Sequence, residues 1–320
     1  MKPVSVVAMV LCAAGVLASV SVAQGQPSLG DRFREQYAQP QPAWVGYMVP
    51  TVPGHDRNCD WNQGIQAPGP VHLEPSGQVQ IMLRIQGNHI TRIRPISGNC
   101  QLDAEGVPLR WLRDVRPAES VAFLATFVSA DEETRDGAVA AIAMHADPAA
   151  DEALERLAAA GQAESVREKA VFWMGEARGA RGYENLRRIV TGDGSEHIRD
   201  KAIFALSISK DPRAVDSMIA AAHNDSSAHV RAQALFWLAH KAGKKAAGAI
   251  SGAIENDPDT EVKKKAVFAL DQLPNGEGIP LLIQVARVNH NPAVRKQAMF
   301  WLGQSNDPRA LAFFEEVLKP

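Results

Sequence analysis

The sequence predicts an all-α solenoid built from a 32-residue repeat, preceded by a small β-rich unit stapled by a disulfide. Three observations predict it. Five similar strings recur at one fixed spacing. The residues ahead of them alternate in hydrophobicity around a Gly-Asn turn. Two of the three cysteines lie in that earlier segment.

With 320 residues and 46% hydrophobic content, the chain is long enough to bury a sizeable core. The formal net charge is -2, with 34 Lys and Arg against 36 Asp and Glu. Binding to a phosphate backbone needs clustered positive charge, so nucleic acid is not an expected partner.

At the start, Met1 and Lys2 precede an apolar run from Val4 to Val20, and Ser21-Val22-Ala23 ends it with small residues at the -3 and -1 positions of a cleavage site. Residues 1–23 therefore read as a secretory signal peptide, with cleavage near Ala23. The run is rich in Ala and Ser, which disfavours an uncleaved membrane anchor. No later stretch approaches 18 consecutive apolar residues, so no membrane span is expected in the mature chain. The expected location is periplasmic or secreted. Cleavage removes Cys12 and leaves Cys59 and Cys100 in an oxidising compartment, where one disulfide is expected. His55 near Cys59 does not complete a zinc spacing, and no metal or cofactor is expected.

Residues 24–42 are polar and contain Pro, and read as a linker or a surface-packed arm. Residues 43–116 read as the β-rich unit. Val79, Ile81, Leu83 and Ile85 alternate, Gly87-Asn88 marks a hairpin turn, and His89 to Ile96 returns as a second strand. Trp44 to Val49 and Val71 to Leu73 are further strand candidates. The segment also holds His55, Asp56, Asp60, Trp61 and His72, but no nucleophile, base and orienter at a spacing that carries chemistry. A stapled unit that caps the solenoid or docks a partner is the expectation. The alternative is an enzyme or enzyme accessory with a site here and the solenoid as substrate grip.

From 117 to 320 the repeat takes over. The strings are Val166-Arg-Glu-Lys-Ala-Val-Phe-Trp-Met-Gly175, Ile198-Arg-Asp-Lys-Ala-Ile-Phe-Ala-Leu-Ser207, Val230-Arg-Ala-Gln-Ala-Leu-Phe-Trp-Leu-Ala239, Val262-Lys-Lys-Lys-Ala-Val-Phe-Ala-Leu-Asp271 and Val294-Arg-Lys-Gln-Ala-Met-Phe-Trp-Leu-Gly303. Each begins 32 residues after the last, and a degenerate copy runs from Thr134 to Ile142. Val166, Ala170 and Met174 share one helical face, the buried stripe of an amphipathic helix. Another helical stretch precedes each string. Asp147-Pro148, Asp211-Pro212 and Asp307-Pro308 place an N-cap acid before a first-turn Pro. Two helices per unit at constant period describe an α-solenoid.

The Val-Arg-x-x-Ala-x-x-x-Leu-Gly pattern, clearest at Val166 to Gly175 and Val294 to Gly303, resembles the HEAT-repeat family and its short bacterial, phycobilisome-lyase-like branch. The resemblance implies a curved stack of six units with Ala310 to Leu318 as the closing helix. The second helices would line a concave side that binds partners. It also implies a structural role for the column Arg135, Arg167, Arg199, Arg231, Lys263 and Arg295, paired with acidic groups of neighbouring units.

Two columns depart from that pattern. Trp173, Ala205, Trp237, Ala269 and Trp301 alternate large and small, and read as interlocking packing. Phe172, Phe204, Phe236, Phe268 and Phe300 fall about 160° from the core stripe on a helical wheel. Beside them run Lys169, Lys201, Gln233, Lys265 and Gln297. This column is either an aromatic ribbon that binds a protein or peptide partner, or a set of rings that stack on one another.

Catalytic candidates are lacking. The hydroxylase relatives with HEAT-like repeats use His-Glu pairs, and the dipeptide does not occur here. His145, His197, His223, His229, His240 and His290 read as solvated histidines without a shared column. The expectation is a non-enzymatic, protein-binding scaffold of the cell envelope.

Overall fold

Strand β1 (Ala43–Pro50) pairs antiparallel with β2 (Gln78–Gln86), which turns through Gly87-Asn88 into β3 (His89–Ser97). Gly87 has φ of +67°, a left-handed conformation that glycine adopts without steric cost. A short β4 (Leu109–Trp111) adds parallel to β1, giving the order β3-β2-β1-β4. The computed structural model describes residues 27–54, 59, 76–104 and 106–319. The expected signal peptide, the strand candidate Val71 to Leu73, and His55, Asp56, Asp60, Trp61 and His72 lie outside the described residues.

Alternation sorts the strand side chains onto two faces. Val79, Ile81, Leu83 and Ile85 are buried with Val45, Tyr47 and Val49 in the main core. Trp44, Met82, Ile96 and Cys100 form a second, smaller cluster on the opposite face. Cys100 is bonded there to Cys59, with the Cα atoms 5.6 Å apart.

Residues 27–42 pack on the fold as an arm, one of the two readings the sequence offered. Helix α1 (Leu29–Tyr37) is closed by a capping box in which Ser28 and Asp31 each bond the other's backbone N–H. Leu29 and Phe33 are buried. The Phe33 ring stacks on Phe123 at 4.9 Å and meets Tyr47 edge-on at 6.3 Å. This arm joins strand β1 to the first helix of the array.

Thirteen helices follow among the described residues. The first helices of the units are α2 (Pro117–Leu124), α4 (Pro148–Ala158), α6 (Gly179–Gly192), α8 (Ala214–Asn224), α10 (Ala247–Asn256) and α12 (Ile279–Val288). The second helices, interleaved with them, are α3 (Glu132–Met144), α5 (Glu164–Ala177), α7 (Glu196–Ile208), α9 (Ala228–Ala242), α11 (Thr260–Asp271) and α13 (Pro292–Gln304). A closing helix, α14 (Pro308–Leu318), packs on α12. Successive second helices pack side by side, and Val166, Ala170 and Met174 are buried as the stripe requires.

The caps follow the sequence with one shift. Asp147 and Asp307 accept from the N–H groups of Ala149 and Arg309, with Pro148 and Pro308 at the first helical position. Asp211 accepts from Arg213 N–H in the same way, but α8 begins only at Ala214 after a turn.

The Arg column makes a repeated tie between units at Arg167, Arg199 and Arg231, whereas Arg135 pairs with the adjacent Asp136 and Arg295 donates to the Asn289 and His290 carbonyls. Arg199 holds Asp225 through Nε and Nη2 at 2.8 and 2.9 Å, and Arg231 holds Asp257 at 2.8 and 3.0 Å. Arg167 pairs with Asp193 through Nη2 alone, while its Nε donates to the Ala158 carbonyl. Each acid lies 26 residues after its arginine and also accepts from the N–H two residues beyond itself, at Ser195, Ser227 and Asp259. One further period replaces the pair by Lys263 and Asn289, where Lys263 donates to the Glu255 carbonyl instead.

The β-rich unit shares one core with the array, so the sheet covers the first unit rather than standing apart. Contact at that junction is backbone to backbone. A Cβ placed on Gly137 of α3 would lie 2.1 Å from the Ile93 carbonyl oxygen, so only glycine lets α3 lie on β3. Arg92 and Arg94 of β3 both reach Glu133 at the start of α3. Behind them a buried chain of hydrogen bonds links Tyr47, Ser120 and His145. Tyr47 Oη and Ser120 Oγ are 2.7 Å apart, and Ser120 Oγ and His145 Nε2 are 2.9 Å apart.

Candidate partner-binding face

The second helices turn their Phe column away from the first helices, and the structure places both the Phe and the Trp rings there. Phe172 stacks on Phe204 with centroids 6.3 Å apart and planes 18° from parallel. Phe236 stacks on Phe268 at 6.0 Å and 13°. Between these pairs the indoles complete the ladder: Phe204 lies 4.8 Å from Trp237, and Phe268 lies 4.8 Å from Trp301. Within a helix, Phe172, Phe236 and Phe300 each meet the adjacent Trp edge-on.

The column is therefore stacked and open to solvent at once. Phe172, Phe204, Phe236 and Phe268 are half-buried, and Phe300 at the end is 52% exposed. The Trp column packs against the main core as expected and also joins the ladder. Ala205 and Ala269 are fully buried, while Trp173, Trp237 and Trp301 are half-buried and belong to the ladder. The small residue serves helix approach: a Cβ on Gly175 of α5 would lie 2.3 Å from the Ala205 carbonyl oxygen of α7. Reading each column separately missed that residues 33 apart, on neighbouring second helices, bring a Phe onto a Trp. The double spacing of Trp in the repeat was the available signal.

Of the donor column, Lys169 is held by Asp136 at 2.6 Å. Lys201, Gln233, Lys265 and Gln297 run beside the rings and make no hydrogen bond or ion pair among the described residues. Two cavities open on this face. One of about 630 Å³ lies where α3, α5 and α7 meet β3 and includes Trp173, Phe172 and Phe204 in its wall. The other, about 400 Å³, lies between Phe268 and Trp301 with Lys264, Lys265 and Gln297.

The histidines are not all solvated. His223, His229, His240 and His290 are exposed, but His145 is fully buried. Its Nδ1 lies 2.7 Å from the Ala141 carbonyl, which fixes the proton on Nδ1 and leaves Nε2 to accept from Ser120. Burial lowers its pKa to about 4. His197 and His229 do share a column, one period apart, each beside an acid of the preceding second helix: His197 Nε2 is 2.7 Å from Glu168, and His229 Nε2 is 3.8 Å from Asp200. Among the described residues no group of three or more His, Cys, Asp or Glu is arranged to hold a metal ion.

The paired helices, the constant period and the inter-unit arginine ties are matched by a family comparison: residues 158–239 and 249–320 fit the model of HEAT repeats. From residue 158 onward the array is made of HEAT repeats. Solved structures similar to this HEAT-repeat chain include human deoxyhypusine hydroxylase in complex with glycerol, at 19% identity over 62% of this chain and 77% of that one, with a TM-score of 0.28. The complex of CpcE and CpcF of phycocyanin lyase from Nostoc sp. PCC7120 matches at 18% identity over 60% and 77%, with a TM-score of 0.34. No curated protein matches the sequence.

Proposed function

We propose that this HEAT-repeat chain is a non-catalytic scaffold of the cell envelope that binds a protein partner along the Phe–Trp ladder of its second helices. The observation that carries the reading is the continuous run of half-exposed rings from Phe172 to Phe300. Contiguous exposed apolar surface of this kind marks interaction sites, and aromatic side chains are enriched at interface centres. The amides and ammonium groups beside the rings, half-buried except for the exposed Lys265, supply a polar rim. Export is supported by the signal-like residues 1–23 and by the Cys59–Cys100 disulfide, which persists in an oxidising compartment. No helix of the described residues is long and apolar enough to cross a membrane.

The test is affinity capture from an envelope extract with the wild-type chain and with the double variant Phe204→Ser, Phe236→Ser. A protein retained by the wild type and lost from the folded variant is the expected result. Equal retention by both forms would show that the ladder is not the binding surface.

A further inference from the structure

One period before Phe172 the Phe column holds Ala140. Elsewhere each indole meets the phenylalanine 33 positions earlier: Trp237 meets Phe204, and Trp301 meets Phe268, both at 4.8 Å. For Trp173 that position is Ala140, which offers a methyl group in place of a ring. The larger cavity of the ladder opens at this place, with Gly137 and Ala140 in its lining against Trp173. At about 630 Å³ it exceeds the crevice of about 400 Å³ at Trp301, where Phe268 is present. Its size lies within the range of pockets that enclose ligands.

The ionic groups around the opening are nearly all matched. Glu133 is held by Arg94 at 2.6 Å and Arg92 at 3.1 Å, Asp136 by Lys169 at 2.6 Å, and Glu168 by His197 at 2.7 Å. Lys201 is different, with no ion pair or hydrogen bond among the described residues. Every rim carboxylate has a partner, and one ammonium group does not. The one rim group left without a partner among the described residues is thus the Lys201 ammonium, beside the aromatic wall, and an acidic group would complement it.

We propose that this pocket takes an aromatic side chain of the protein partner, followed in its chain by an acidic residue. The ring lies against Trp173 as Phe204 and Phe268 lie against their indoles, and the carboxylate meets Lys201. An aliphatic side chain fills the space but forgoes the ring-to-ring geometry that the ladder uses. The inference rests on the partner-binding reading above.

The probe is a capped hexapeptide of glycines with a central Phe-Glu, compared with Leu-Glu and Phe-Lys versions and titrated into the folded chain. The indole N–H signal of Trp173 in an NMR spectrum, assigned with Trp173→Phe, gives the readout. The Phe-Glu peptide is expected to shift that signal and to bind more tightly than both controls. Lys201→Gln should weaken it by about 1.4-fold to fivefold, the range of one exposed ion pair. Ala140→Phe, which supplies the ring from within, should abolish the response. Should Ala140→Phe fail to fold, Lys201→Glu at the same half-buried rim position carries the test by reversing the Glu over Lys preference. Equal binding of the Phe and Leu peptides, insensitivity to Lys201→Gln, or a response at Trp237 in place of Trp173 would overturn the pocket. A partner captured through Phe204 and Phe236 but indifferent to Ala140→Phe and Lys201→Gln would overturn it too, while leaving the ladder as the binding face.

Discussion

The ring of Phe204 lies 4.8 Å from that of Trp237, a residue 33 positions later on the neighbouring second helix, and the same relationship joins Phe268 to Trp301. Because these Phe rings are only half-buried, removing one costs less than emptying a core position. Each aromatic pair is worth about 0.5–1.5 kcal/mol beyond its buried area. Phe204→Ser should therefore lower stability by roughly 1–3 kcal/mol, below the 3–5 of a fully buried Phe truncation. Chemical denaturation followed by circular dichroism measures it. A collapse of helical signal in buffer would show instead that the ladder is core.

The arginine ties act differently, since both partners are withdrawn from water. Arg231 and Asp257 are both buried, and the hydrogen bonds and charge of Arg231 hold the Asp257 carboxyl below its ordinary pKa against the opposing effect of burial. Arg231→Met strands the carboxylate and should cost about 3–5 kcal/mol. The double variant Arg231→Met, Asp257→Leu should recover most of that loss. Thermal unfolding of the two variants distinguishes a stranded charge from lost packing.

His145 makes the junction between sheet and array sensitive to acid. Its pKa in the folded chain is about 4 against 6.5 for a free imidazole, so below pH 6.5 the unfolded state takes up a proton that the folded state refuses. Stability from this group is complete above pH 6.5 and is lost as the pH falls toward 4, by about 3 kcal/mol in all. His145→Asn should be less stable at neutral pH and flatter across that window. Denaturation midpoints at pH 7 and pH 4.5 in both forms provide the check.

At the same junction Gly137 allows α3 to touch β3. Gly137→Ala would put a methyl carbon 2.1 Å from the Ile93 carbonyl, and backbone on both sides leaves nothing flexible to yield. The expected cost is about 1–3 kcal/mol, the range of overpacking. Hydrogen exchange should show it first in β3 and α3, with the distal units from α9 onward unchanged. Uniform loosening along the array would contradict a local contact.

Much of this architecture was readable because it is local or periodic. The stripe Val166, Ala170, Met174, the caps Asp147 and Asp307, and the hairpin turn at Gly87-Asn88 each depend on residues close in the chain. The 32-residue period carried those local rules from unit to unit. What escaped was contact across elements. Helix α1 is short and polar, and its place is set by Phe33 meeting Phe123, 90 residues away. His145 has the composition of a helix end, and only the approach of Ser120 and Tyr47 makes it a buried acceptor. The Phe column was found from the wheel, but its relation to Trp237 and Trp301 depends on how neighbouring helices are set beside one another.

The most direct test of the ladder as a binding surface leaves its rings intact. A photo-crosslinking residue at Gln233, half-buried beside Phe236, is compared with one at Asp216, exposed on first helix α8. Irradiation in the envelope is predicted to yield a discrete protein adduct at 233 and none at 216. Adducts only at 216, or the same adduct at both positions, would contradict the assignment of the partner to the Phe–Trp face.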